Sequence, residues 1–183
     1  AFLPIRLIRT AAIGRSMGVL EKMQPQSGGY LEATPLTSFV VMSLAVTKRA
    51  DHKVARRGLA FIKDSMNEDG SWPIDTNLAT WVTSLSMNAL AADPTDDRAW
   101  CTSELVDWHL GCQHETRHPF TGAEPGGWGW SDLSGAVPDS DDTPAAILAL
   151  VQMKSCLDEK RKQRCEKAIK AGRGWLLKLQ NRD

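Results

Sequence analysis

The feature that most constrains this chain is a unit that recurs: Gly-x-aromatic, a short run, then Thr opening an apolar helix. Gly28-Gly29-Tyr30 stands four residues before Thr34-Pro35, and Gly70-Ser71-Trp72 stands four residues before Thr76-Asn77. Gly126-Gly127-Trp128 precedes Thr143-Pro144 across a longer loop. Thr suits an N-cap because its hydroxyl accepts a backbone N–H bond, and Pro suits the next position because it has no N–H to leave unpaired. A start that repeats in this way predicts similar helical units stacked on one another.

Hydrophobic periodicity predicts helices over about 4–23, 34–48, 51–66, 77–92 and 97–114, then an apolar one to about 157 and a charged one over 158–180. In the first, Ile5, Ile8, Ala12, Ile13, Met17 and Leu20 share a face. Asn67-Glu68-Asp69-Gly70 and Asp93-Pro94-Thr95-Asp96 are the breaks, and 115–142 is a long loop. The helix from Thr34 carries Phe39, Val40, Met42, Leu44 and Val46 nearly all round, which predicts burial on most sides. No stretch reads as a strand. Apolar and charged helices alternate, the pattern of hairpins with apolar members inside and amphipathic members outside.

A chain of 183 residues is long enough for one domain with a sizeable core. Lys+Arg and Asp+Glu balance at 22 each, and no basic stripe marks a nucleic-acid surface. The four cysteines, Cys101, Cys112, Cys156 and Cys165, show no C-x-x-C spacing, and reduced thiols in a cytosolic protein are the simpler reading. Arg6, Arg9 and Arg15 interrupt the apolar runs near the start, so neither a signal peptide nor a membrane span is expected; contact with a membrane surface stays open.

Three carboxylates fall within four positions in Val137-Pro138-Asp139-Ser140-Asp141-Asp142-Thr143-Pro144, just before a helix start. Two readings follow. In one, Asp142 or Thr143 caps the helix and the other acids lie in a wet loop. In the other, crowding raises the cost of ionising all three, and one stays protonated near neutral pH as an acid. Aligning the units on the opening Thr pairs Asp142 with Asp75, and Asp141 with Ile74 or Glu32. Asp139 lies in a loop the other units lack, so Asp139 and Asp141 are least explained by capping.

With these features in hand, the chain resembles the squalene–hopene cyclase and oxidosqualene cyclase family of class II terpene cyclases. One carrier is the family's Q-W repeat. Arg57-Gly58-Leu59-Ala60-Phe61-Ile62 through Gly70-Ser71-Trp72 fits except that Met66 replaces Gln. Trp108 to Gln113 fits the aromatic-to-Gln part before an insertion delays Gly127-Trp128, and Trp175-Leu176 with Gln180 fits again, its Gly falling just beyond Asp183. The other carrier is the D-x-D-D-T box, Asp139-Ser140-Asp141-Asp142-Thr143, which here continues to Pro144 where the family usually has Ala.

The resemblance covers about 28–183 and implies an all-α fold, an α/α toroid, of which this chain would form about half. The whole chain would be one partial domain with repeat units about 28–69, 70–125 and 126–183, a fragment of a longer protein, inactive alone and open to self-association through its uncovered faces. The resemblance further implies acid-initiated cyclisation of a linear, squalene-like isoprenoid. Asp141 would be the proton donor, Asp139 and Asp142 would tune it, and no cofactor or metal would be required. Aromatic faces would hold the cations, with Trp81, Trp128 and Trp130 as candidates whose alternative role is core packing. The rival is a toroid-repeat scaffold that binds an apolar ligand or a protein without chemistry. Two zinc readings carry less weight. His114-Glu115-Thr116-Arg117-His118 matches H-E-x-x-H, but Pro119 pushes His118 out of helical geometry. The Asp, Cys and His site of protein prenyltransferases, which share the toroid, is not recognisable around Cys101, His109 or Cys112.

Overall fold

The computed structural model describes residues 3–95 and 97–181. Asp96, within the expected break at 93–96, and Asp183, where the last repeat would close, lie outside the described residues. The fold is all-α, with seven α-helices and no strand among the described residues: α1 Leu3–Met23, α2 Thr34–Val46, α3 Lys53–Asp64, α4 Ala79–Ala91, α5 Ser103–Gly111, α6 Asp142–Met153 and α7 Glu159–Leu179. They fall into two compact units, residues 1–76 and 77–183.

In the first unit α2 and α3 form a hairpin. The Gly-x-aromatic loop before α2 is its keystone. Tyr30 is buried, its hydroxyl donates to Leu20 O at 2.7 Å, and its backbone N–H donates to Thr37 Oγ1 at 2.9 Å. Gln24 donates its amide to both Gly28 O and Val54 O at 3.0 Å, tying the end of α1 to the loop and to the start of α3. Gly29 is obligatory, since a Cβ there would enter the Phe61 ring. Leu31 and Glu32 adopt left-handed φ of 52° and 54°, a costly conformation for residues with side chains. The segment beyond α3 returns to this loop: Thr34 N donates to Ile74 O at 3.3 Å, and Thr76 N and Oγ1 both donate to Glu32 O.

In the second unit α4 packs on α6, α6 on α7, and α5 on α7. Met87, Val106, Leu110, Trp128, Ala146, Ala149, Leu150, Met153, Cys165 and Ala168 form the core. Thr102 caps α5 by accepting from Leu105 N, and Asp158 caps α7 by accepting from Arg161 N. Asp107 on α5 pairs with Arg161 and Arg164 on α7.

The structure corrects two expectations. The apolar helices are not covered on most sides: Phe39, Met42 and Val46 on α2, Trp81, Val82 and Leu85 on α4, and Leu148 and Val151 on α6 remain exposed. Each of these helices buries one face against its neighbours and leaves the other exposed among the described residues. The first half of α1 is likewise exposed, Ile5 and Ile8 included, so its apolar face has no partner among the described residues. The opening Thr residues are not N-caps by side chain either. Thr34 begins α2 with no cap bond from the preceding residue, and Asn77, not Thr76, accepts from the backbone at the start of α4.

Candidate active site at the acidic helix start

The Gly126–Trp128 loop repeats the keystone of the first unit. Trp128 N donates to Thr143 Oγ1 at 2.9 Å, as Tyr30 N does to Thr37. Thr143 Oγ1 in turn reaches Trp128 O at 3.2 Å. Trp128 donates its indole N–H to His109 O, as Tyr30 donates its hydroxyl to Leu20 O. Gln113 donates to Gly126 O and Ala168 O, as Gln24 does to Gly28 O and Val54 O. One further pair matches, since Gly127 lies on Trp175 as Gly29 lies on Phe61; Gly172 in turn accepts the edge of Trp128. Gln24 thus extends the Gly28-Gly29-Tyr30 unit to Gln-x-x-x-Gly-x-aromatic, with Tyr in place of Trp, and Gln24 is the member that sequence reasoning passed over.

This equivalence moves the alignment of the acids. Thr143 corresponds to Thr37, and each donates its backbone N–H four residues back, to Asp139 O and Ala33 O. Asp139 thus occupies the place of Ala33, Asp141 that of Pro35 and Asp142 that of Leu36. The Thr signature was visible in the sequence, but its partner lies 15 residues away, beyond any local capping rule.

The three acids take different positions. Asp139 is half-buried, and its Oδ1 accepts from Asp141 N at 2.8 Å and Asp142 N at 2.7 Å, so Asp139 supplies the carboxylate at the start of α6. Asp141 is exposed. Asp142 is 4% exposed, and its Oδ1 is buried with no hydrogen-bond partner. Burial first, then a hydrogen bond to the Asp139 carboxyl and the negative charge of Asp139 and Asp141, push Asp142 up from 3.8 to about 7. An acid at that value holds its proton in roughly half the molecules at neutral pH and donates it towards Asp139. The crowding of carboxylates on one helix start thus has a chemical effect beyond capping, and it falls on Asp142.

The tryptophans also divide. Trp128 is 0% exposed, within the core and stacked on His109 with ring centroids 6.2 Å apart. Its faces are occupied by protein, which removes it from the substrate-facing candidates. Trp130 is half-buried, and its carbonyl accepts from Thr80 N at 3.1 Å and Trp81 N at 3.2 Å, closing the first turn of α4. Its indole N–H is buried without a partner. Trp81 is 45% exposed at that same turn. Trp81 and Trp130 are therefore brought together, at the start of α4.

His109 is buried, and its burial lowers it to about 4, so it is a neutral core residue. The H-E-x-x-H stretch is not helical. The His114 and His118 rings lie 5.7 Å apart, but His118 Nδ1 accepts from Phe120 N and Thr121 N. The proton of neutral His118 is therefore on Nε2, which leaves neither ring nitrogen a free lone pair for a metal. Among the described residues no group of three His, Cys, Asp or Glu is arranged to hold a metal ion, and no helix is long and apolar enough to cross a membrane.

No family model matches the chain. It is similar to sporulenol synthase of Bacillus subtilis, with 27% identity over 162 residues. That match takes in 84% of this chain but 23% of the relative, so the chain spans under a quarter of the length of the protein it resembles.

Proposed function

We propose that this chain carries the acid-initiating part of a class II terpene cyclase-like isomerase, and that the longer protein cyclises a linear isoprenoid of the squalene type. Asp141 is the proton donor, positioned at the exposed edge of the acidic helix start, and Asp142 and Asp139 form the proton-holding pair behind it. The observation that carries this reading is Asp142: a buried carboxyl pushed up to about 7 and bonded to a carboxylate that holds the first N–H groups of α6. Protonating an alkene or epoxide demands an acid that keeps its proton until the substrate arrives. The likeness to sporulenol synthase supports the same direction. Trp81 and Trp130 are the aromatic faces left to meet a cation.

The non-catalytic scaffold is favoured by one observation, the exposure of Asp141, which leaves the acid wet in this chain. The deciding experiment incubates the longer protein with squalene and shorter polyprenyl substrates and follows cyclic products by mass spectrometry. Product that falls by at least about 100-fold in Asp141→Asn supports the proposal. A folded parent that makes no cyclic product from any of these substrates supports the scaffold. If Asp142→Asn abolishes product and Asp141→Asn does not, the donor is Asp142.

A further inference from the structure

The two units carry the same latch, but the first fills the space beside it with its own side chain and the second leaves that space open. Gln24 and Gln113 donate to equivalent carbonyls, Val54 O and Ala168 O. Three residues further along each helix, Arg57 and Ala171 lie against Gly28 and Gly126, so these two positions are equivalent. In the first unit three residues join Gln24 to Gly28, and the Arg57 guanidinium donates to two of their carbonyls, Pro25 O at 2.6 Å and Gln26 O at 3.0 Å. In the second unit twelve residues join Gln113 to Gly126, and Ala171 offers only a methyl group. A cleft of about 550 Å³ opens there, between α7 and the loop that leaves α5, within the range of about 300–1,000 Å³ typical of small-molecule sites. None of Asp139, Asp141 and Asp142 lines it.

The lining joins apolar and charged groups. Leu110, Pro125, Ala168 and Ala171 supply apolar surface. Arg164 and Lys167 on α7 bring two positive charges, and Glu115 on the loop brings one negative, which leaves one positive charge in excess. His114 also lines the cleft; burial first, then the neighbouring His118, hold it below its ordinary 6.5, so it adds no charge at neutral pH. Asp107 fixes Arg164 but also pairs with Arg161, and Lys167 has no ion-pair partner among the described residues. We propose that this cleft binds an amphipathic carboxylate, its head between Arg164 and Lys167 and its apolar tail against Leu110, Ala168 and Ala171. One carboxylate neutralises the excess charge, and it accepts charge-assisted hydrogen bonds from a guanidinium and an ammonium. The Gln113 amide, bonded to both Gly126 O and Ala168 O, ties the two sides of the cleft together, so its shape is formed before a ligand arrives.

The test titrates the chain with octanoate by calorimetry, beside octanol, which has the tail without the charge, and acetate, which has the charge without the tail. Octanoate should saturate with a Kd of about 1 mM or tighter, and octanol and acetate should each bind at least about tenfold more weakly. Lys167→Glu makes the excess charge negative and should weaken octanoate binding at least about tenfold. Lys160→Glu, the same change on α7 outside the cleft, should leave the affinity within about twofold, since an exposed charge at a distance is screened. Ala171→Met places a neutral side chain where Arg57 stands in the first unit and should remove binding. Circular dichroism confirms that each variant keeps its helices, and Lys167→Glu decides alone if Ala171→Met does not fold. Octanoate bound on the exposed apolar faces would survive both cleft substitutions. Affinity retained in folded Lys167→Glu or Ala171→Met, an equal loss in Lys160→Glu, octanol binding as tightly as octanoate, or no saturation overturns the proposal.

Discussion

At the scale of single residues, the proton on Asp142 sets a sign for stability. Its value in the fold, about 7, lies above its ordinary 3.8, so between these values the native state binds more protons than the unfolded one. Its stabilising effect is complete below about pH 4 and is lost as pH rises through about 7. Asp142→Asn keeps a donor towards Asp139 and cannot ionise. Relative to the unsubstituted chain, it should gain stability as pH rises from about 4 to 7, by at most about 4 kcal/mol above that range, read from urea midpoints across pH. If the difference is flat with pH, Asp142 is not the proton holder. Thr143 gives a second prediction. Its hydroxyl is 0% exposed and bonded to both N and O of Trp128, so Thr143→Val should cost about 1–3 kcal/mol through the orphaned Trp128 N–H. The sequence made Asp139, Asp141 and Asp142 conspicuous, because three acids before a helix are easy to see. It could not rank them, because exposure is decided by how α6 sits against residues far along the chain.

At the scale of elements, the glycines of α7 separate packing from propensity. Gly172 and Gly174 share one helix, where Ala is ordinarily better than Gly by about 1 kcal/mol. A Cβ on Gly174 meets nothing within 4 Å, while one on Gly172 meets Trp128 at 2.8 Å and Ile147 at 3.1 Å. Gly174→Ala should therefore stabilise by about 0.5–1 kcal/mol and Gly172→Ala should destabilise by about 1–3 kcal/mol in the same denaturation assay. Helix positions were legible from periodicity to within a few residues, since α2, α4 and α6 are apolar and α3 and α7 are charged. Their ends were less so. The helix expected over 97–114 occupies Ser103–Gly111, because Thr102 caps it late. The part of Gln24 in the Gly28-Gly29-Tyr30 unit escaped notice, and only the matching bonds of Gln24 and Gln113 reveal it.

At the scale of the whole molecule, the uncovered faces of α2, α4 and α6 govern behaviour in solution. Phe39 is 65% exposed and Leu148 56%, each among other exposed apolar residues of its helix. Patches of this kind pay water a cost of about 25 cal/mol per Å² of apolar surface. The chain alone should self-associate with rising concentration in sedimentation velocity, and the pair Phe39→Glu and Leu148→Glu should return it towards monomer. The alternation of helices in the sequence announced hairpins, but which face of each helix stays exposed is decided by its packing neighbours, which no periodicity records. The matched latches, Tyr30 to Thr37 and Trp128 to Thr143, carry one more consequence. The same frame bears Ala33, Pro35 and Leu36 in one copy and Asp139, Asp141 and Asp142 in the other, so architecture and reactivity are separable. The latches belong to the duplicated scaffold and the acids to three positions mounted on one copy of it, so the two traits can vary independently of each other.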